Sequence, residues 1–275
     1  MIDTPKPVRA YDNDAHGQGH TGLSEGALIV MAQEVIVRLS RWAQDSGRAR
    51  TPLAPVRQPP DIDALCDALL GQEPAVARHI ILDAHAQGAS HEELCLFYIA
   101  AAAKRLGEMW EEDTISFRDV SVAGGRMLHL LRDLRDLAPP VTPRSDRSAL
   151  FASVPGEQHI LGVTMAADMF RERQWDIDLR IGQSEAQLAQ LVRSGGYPIV
   201  GLSATSVERV RALTRVVVEL RLAAPKLLIF VGGYIAKVEP EIAVRVGADG
   251  AGWDMDQCHE EMKRLSRLIP EIYAS

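Results

Sequence analysis

The spacing of apolar residues changes character along this chain, and each change marks a different element. Between Leu23 and Trp42, Leu28, Met31, Val35, Leu39 and Trp42 recur at steps of three and four, the spacing of one helical face. Ile29, Val30, Ile36 and Val37 widen that stripe beyond what a solvent-facing helix needs, so this helix must pack on its own chain or on a partner. The residues before it, 1–22, hold Pro5, Pro7, Asp12, Asn13, Gly17 and Gly19 with almost no apolar content and read as a mobile tail. The residues after it, 43–60, are rich in Pro and Arg and lack any period, which is the text of a linker.

Helical periodicity returns over residues 61–138. Asp61 can cap a helix reaching Leu70, Pro74 suits the first turn of a second, and Ser90 with Glu93 forms a capping box for a third that runs towards Trp110. A fourth helix spans Phe117 to Leu137. Short joints and the small residues Ala100 to Ala103 predict an up-and-down four-helix bundle. Residues 139–147 are a second Pro-rich break, after which the pattern changes again. Five short apolar runs, SALFASV, DIDLRI, YPIVGLSA, KLLIFVGG and GADGAGW, alternate with helical stretches at 160–173, 185–193, 207–223, 240–246 and 255–268. Strand and helix in alternation over 148–275 predict a five-stranded parallel sheet covered on both faces. A ligand then belongs beyond the carboxyl ends of the strands.

Composition narrows the function without choosing it. The chain has 275 residues, 47% hydrophobic and 24% charged, with mean hydropathy -0.05, so it is globular and long enough for two domains. Its 30 Lys+Arg against 37 Asp+Glu leave a net charge of -7, which gives no global basic field for binding nucleic acid directly. Cys66, Cys95 and Cys258 are far apart with no CxxC pair, the N-terminus lacks an apolar signal core, and no run of ~18 apolar residues exists to span a bilayer. These features predict a reduced, cytoplasmic protein with no membrane contact.

The strand-end loops carry the candidate chemistry. After the first strand stands Pro155-Gly156-Glu157-Gln158-His159-Ile160-Leu161-Gly162, which is neither GxGxxG nor a P-loop. It does place a carboxylate two residues before a histidine, and a carboxylate on one imidazole nitrogen makes the other a better metal ligand. After the third strand, Ser203 and Thr205 offer two hydroxyls, and the fourth ends in Gly232-Gly233, where missing side chains let a bulky group lie on the backbone. A lone histidine in such a loop is more often structural; three loops at one sheet edge make a slot.

This conjunction resembles the cobalamin-binding flavodoxin-like (Rossmann-like) domain, whose pattern is DxHxxG, SxT-like hydroxyls and GG. Here it stands as Glu157-x-His159-x-x-Gly162, Ser203 with Thr205, and Gly232 with Gly233. The resemblance implies that His159 is the lower axial ligand to cobalt, oriented by Glu157. It implies that Ser203 and Thr205 meet the cofactor's displaced dimethylbenzimidazole, and that the glycines make room for the nucleotide tail. Haem is the alternative cofactor, since a histidine ligates iron as readily.

The helical block sharpens the resemblance. Leu106-Gly107-Glu108-Met109-Trp110-Glu111-Glu112-Asp113 is similar to the bundle segment of CarH-type photoreceptors, where the tryptophan fills the space above cobalt and the bundle caps the corrin. The bland reading of Trp110 is ordinary core. Val120 and Ser121 stand where that family carries a Glu-His pair, so an upper histidine ligand from the bundle is not implied. The stretch Ile115 to Arg126 resembles instead the AerR/PpaA regulators of photosynthesis genes, which have this order of parts and lack the DNA-binding domain of CarH. That resemblance implies a non-enzymatic, light-responsive antirepressor or co-regulator that binds a PpsR/CrtJ-type repressor and reaches DNA only through it. Leu23 to Trp42 is the first candidate for the partner surface, and the oligomeric state stays open. The alternatives are a corrinoid methyl carrier, a haem sensor on the same scaffold, and a module with empty loops; a mutase would need a large substrate barrel. Gly124-Gly125 would let the fourth helix approach a neighbour or the corrin, His79, His85, His91 and His129 read as ordinary polar residues, and His16 or His20 could reach an open cobalt.

Overall fold

The computed structural model describes residues 61–138, 141–144 and 147–274. The expected tail, the helix at 23–42, the linker at 43–60 and the histidines His16 and His20 all lie outside the described residues.

Local signals fix the helices of the first half. Helix α1 (Ile62–Leu70) begins where the Asp61 carboxylate accepts from the Ala64 N–H at 2.9 Å, and it buries Leu65, Cys66, Ala68 and Leu69. Its far end is closed from another helix. Arg126 donates through Nη1 to the Leu69 and Gly71 carbonyls at 2.5 and 2.6 Å, supplying donors that the last turn otherwise lacks. Helix α2 (Pro74–Ala86) has proline in its first turn. The Ser90–Glu93 capping box opens α3 (His91–Glu93), which continues through a π-helical segment, Leu94–Ile99, into α4 (Ala100–Glu111). A wider turn thus interrupts what reads as one helix in the sequence. A second capping box, Ser116 with Asp119, starts α5 (Phe117–Leu137), whose buried face is Ala123, Met127, Leu130, Leu131 and Leu134. Helix α1 packs against α2, α4 and α5. A Cβ built on Gly124 or Gly125 would meet nothing within 4 Å among the described residues, so no close approach of another described helix requires these glycines.

The second half is a parallel sheet of β1 (Ser148–Ser153), β2 (Asp176–Arg180), β3 (Ile199–Ser203), β4 (Leu228–Gly232) and β5 (Gly250–Gly252), in the order β2-β1-β3-β4-β5. Strand β1 pairs with both β2 and β3, and the chain reverses its winding between β1 and β3. That is the topological switch point of an open sheet. Period-two alternation divides the strands between two cores. Leu150, Ala152, Val200, Leu202, Ile229 and Val231 face α7 (Glu185–Gly195) and α8 (Val210–Ala223); Phe151 and Phe230 face α6 (Ile160–Glu172) and α11 (Met255–Ala274). Short helices α9 (Ile235–Val238) and α10 (Ile242–Val246) follow β4. Helix α11 lies hard on β5: a Cβ at Gly252 would come within 3.1 Å of the Cys258 backbone nitrogen, and one at Gly250 would collide with Glu261.

The helical block and the sheet share one continuous apolar core, stitched by ion pairs. Asp168, in the middle of α6 with a side chain only 2% exposed, accepts from Arg135 of α5 at 2.8 and 3.1 Å and from Arg171 at 2.6 Å. Arg173, just beyond α6, pairs with Glu92 of α3 at 3.2 Å. Asp168→Ala strands two guanidiniums, but Arg135 and Arg171 are 41% and 30% exposed and can regain water. The expected cost is therefore about 1–2 kcal/mol, below the 3–5 kcal/mol of a fully buried broken pair, read from the urea midpoint. An unchanged midpoint would show that the triad adds nothing to stability.

Candidate functional site

The switch point is built by the loop between β1 and α6. Val154 donates its N–H to the Ser203 carbonyl at 3.0 Å, holding the first loop against the end of β3, and Glu157 donates its own N–H back to the Val154 carbonyl at 2.8 Å. Gly156 takes φ +78 at the corner. His159 then occupies the N-cap position of α6. Glu157 and His159 are both buried, 5% and 8% exposed.

Four donors saturate the Glu157 carboxylate. Its Oε1 accepts from the His159 backbone N–H at 3.0 Å and from the His159 ring at Nδ1; its Oε2 accepts from the Thr205 N–H at 3.0 Å and from the Thr205 hydroxyl at 2.7 Å. Burial alone would raise the carboxyl's pKa, but the His159 ring and the hydrogen bonds from His159 and Thr205 outweigh it and bring it down to about 2. Glu157 is thus an anion that can only accept, so Nδ1 of His159 donates and the lone pair sits on Nε2. Thr205 Oγ1 lies 2.9 Å from the same Nδ1 and braces the pair from the β3 loop. This carboxylate–imidazole arrangement orients a histidine for metal ligation.

His159 stands in the wall of a cleft that opens to solvent. Of the residues the sequence singled out, Gly162, Ser203, Thr205, Gly232 and Gly233 line it too. A Cβ on Gly162 would meet nothing within 4 Å, so this glycine keeps a wall low instead of easing a packing contact. Gly233 has φ +100, and a Cβ there would sit 2.5 Å from the Ala204 carbonyl oxygen; only glycine lets the β3 and β4 loops close on each other. Glu157 stands behind the wall as the orienting group. Trp110 lies elsewhere: it is 9% exposed and packs with Ile115, Phe117 and Val120, outside the cleft lining.

The sequence reading missed the deeper walls. Phe151 and Phe230 come from the sheet, Met165, Met169 and Phe170 from α6, and Cys258 from α11, with Tyr234, Trp253 and Asp254 from the turns after β4 and β5. Phe151 meets Phe170 edge to face at 5.2 Å, and its ring covers Gly201, where a Cβ would fall 2.8 Å away. Burial, with Asp254 adding, pushes the Cys258 thiol well above its ordinary value, so it stays neutral. Strand alternation was the available signal, because Phe151 and Phe230 share the face that α6 covers.

Among the described residues no group of three His, Cys, Asp or Glu could hold a bare metal ion. One oriented histidine over a roomy apolar cleft fits a metal that arrives with its other ligands, as in a macrocyclic cofactor. Residues 147–257 match the family model of the B12 binding domain. This B12-binding domain match covers the sheet from β1 to the start of α11 and favours a corrinoid over haem. A relative from Rhodobacter capsulatus, described as an uncharacterized 20.5 kDa protein in the bchF-crtJ intergenic region, is 29% identical over 161 residues, 58% of this chain and 84% of that one. The monomethylamine corrinoid protein of Methanosarcina barkeri has a similar fold, with TM-score 0.61 at 16% identity over 74% of this chain and 96% of its own.

Proposed function

We propose that this chain is a cobalamin-binding, light-responsive transcriptional regulator that acts by protein contact on a PpsR/CrtJ-type repressor of photosynthesis genes. The observation that carries the cofactor is the saturated Glu157 carboxylate fixing His159 at the cleft, inside the matched B12-binding segment. Cobalamin, when bound, supplies a cobalt centre whose upper ligand can be exchanged by light. His159 would hold the metal through Nε2, with Glu157 and Thr205 keeping the imidazole in one tautomer, and Ser203 and the Gly232-Gly233 pair would make room for the rest of the cofactor. The helical block would form the cap, although Trp110 itself packs with Ile115, Phe117 and Val120 outside the cleft lining.

The signal has a physical route. Helix α6 begins at His159 and carries Asp168 and Arg171 in its second half, with Arg173 just beyond its end, where Arg135 and Glu92 of the helical block bind it. A shift at the cofactor face is therefore felt at the seam between cap and sheet. The regulatory role draws support from the Rhodobacter relative, described as lying in the bchF-crtJ intergenic region, beside a gene bearing the name of the repressor type. The acidic chain suits a protein partner better than direct contact with DNA, and the action is cytoplasmic and non-enzymatic.

A corrinoid methyl carrier is the second reading, favoured by the fold shared with the monomethylamine corrinoid protein. The test reconstitutes the full chain separately with hydroxo-, methyl- and adenosylcobalamin and with haem, records spectra before and after illumination, and assays repressor binding to promoter DNA in both states. A corrin spectrum that changes with light, together with a light-dependent effect on the repressor, is the expected result. Bound corrin with no light response but methyl exchange with a methyltransferase would replace the regulator by the carrier. No bound corrin would sink both.

A further inference from the structure

We propose that His259 is an acid-sensitive release at the corner where the helical block meets the end of α6, its protonation loosening the hold of Arg173 on that corner. The proposal goes beyond the regulator reading and does not depend on what fills the cleft. It starts from where unpartnered polar atoms collect. Among the described residues, four buried side-chain nitrogens have no hydrogen-bond partner: Nε2 of His91, Nη1 of Arg173, Nε1 of Trp175 and Nε2 of His259. His91 opens α3, Arg173 and Trp175 stand in the turn from α6 into β2, and His259 lies early in α11.

Contacts tie these groups into one corner. Phe170, near the end of α6, meets the Trp175 ring at 5.6 Å and the His259 ring at 5.8 Å, both edge to face. Arg173 reaches Glu92 of α3 at 3.2 Å and lies 4.0 Å from Asp256, one turn before His259. The chain leading into β1 passes through the same place. Arg144 donates its N–H to the Gln174 carbonyl at 3.0 Å, Arg147 donates from Nη1 to the Arg173 carbonyl at 3.2 Å, and Asp176 donates its N–H to the Arg147 carbonyl at 2.7 Å. Buried nitrogens without partners lower the cost of parting this corner, because water can serve them once it opens.

A proton on His259 meets mostly like charge. Burial, then Lys263 of its own helix, Arg173 after α6 and Arg147 before β1 oppose it, Glu260 acts the other way, and together they bring the ring's pKa down to about 4. Asp256 is 82% exposed, so water screens it, and Phe170 and Trp175 carry no charge. An exposed imidazole titrates near 6.5. The closed corner therefore keeps its full stability above that pH and loses it as the pH falls towards 4. The guanidinium that a protonated His259 repels is the one that ties α3 to the end of α6. His91 is a weaker trigger: burial, Arg135 and His85 hold its ring neutral, but Asp168 works against them and Glu172 stands 3.7 Å from Nδ1 to balance a proton there. The continuous apolar core and the Asp168–Arg135 pair remain beside the corner, so the opening is local.

The experiment measures amide hydrogen exchange of the full-length protein at about pH 7.5 and about pH 5, on either side of an ordinary imidazole, with rates corrected for the intrinsic effect of pH. Two variants run beside it: His259→Phe keeps a ring against Phe170 and takes no proton, and His259→Gln stays polar and neutral. In the parent, opening at α3 and at the Arg144 and Arg147 amides is expected to rise about tenfold over either variant at the lower pH. The titration allows roughly 30-fold there, and partial exposure of His259 reduces it. Strands β3 and β4 should stay equally protected in all three proteins. The same pH dependence in parent and variants would overturn the proposal. So would a rise in β3 and β4 equal to that in α3, since acid would then be unfolding the whole domain. If His259→Phe does not fold, His259→Gln decides the comparison alone.

Discussion

His159→Ala is expected to weaken binding of hydroxocobalamin by at least about 100-fold and to leave any bound corrinoid without the spectrum of a protein nitrogen on cobalt. Second-sphere partners of a ligating histidine typically matter by 10–100-fold, and removing the ligand must exceed removing its support. Glu157→Gln is the calibrating variant. A glutamine keeps the shape but offers one acceptor oxygen where four donors converge, and it turns an N–H₂ towards the ring or towards Thr205. The imidazole then loses its fixed tautomer, and affinity should fall about 10–100-fold with the cobalt still nitrogen-ligated. A His159→Ala protein that binds as tightly as the parent with an unaltered spectrum would remove His159 from the cobalt. The graded order, with Glu157→Gln between parent and His159→Ala, separates a ligand from a residue that merely shapes the loop.

Much of this site is readable in the sequence because its logic is local. Glu157, His159 and Gly162 lie in one loop, and strand-helix alternation alone places that loop at the sheet's carboxyl edge. The partnership of Thr205 with Glu157 spans 48 positions, and nothing in the chain's spacing says that the hydroxyl braces the carboxylate instead of meeting a ligand base. The deep walls were hidden for the same reason: Phe151, Met169, Phe230 and Cys258 come from four elements, and only the register of the sheet brings them to one face.

Helix boundaries show where local rules win and where packing overrides them. Ser90 with Glu93 follows the capping-box pattern and begins a helix as expected, whereas Ser116 closes an equivalent box with Asp119, a shorter acid outside that pattern. The last helix was expected to stop at 268 but runs to Ala274 through Pro270. Leu268, Ile269 and Ile272 all pack on the core, and burying that face offsets what the proline removes. Trp110 illustrates the limit of motif reading. Its neighbours Ile115, Phe117 and Val120 enclose it as a small separate cluster, which the run of sequence around it does not reveal.

The second large effect is on stability and carries a pH signature. The Glu157 carboxyl has a pKa of about 2 in the folded chain against an ordinary 4.5, because the bonds from His159 and Thr205 outweigh its burial. A depressed folded pKa contributes stability that is fully present above the unfolded value and is lost as pH falls towards the folded one. The shift corresponds to about 3 kcal/mol, present at pH 7, more than half gone near pH 3, and absent below about pH 2. Glu157→Gln should therefore be less stable than the parent by about that amount at neutral pH, and the two denaturation midpoints should converge as pH drops from 4.5 towards 2. The difference between the two proteins isolates this one carboxylate, since the rest of the chain is the same in both. Parallel stability curves from pH 7 to 3 would mean that the four donors around Glu157 do not hold its charge, and the fixed tautomer of His159 would fall with that result.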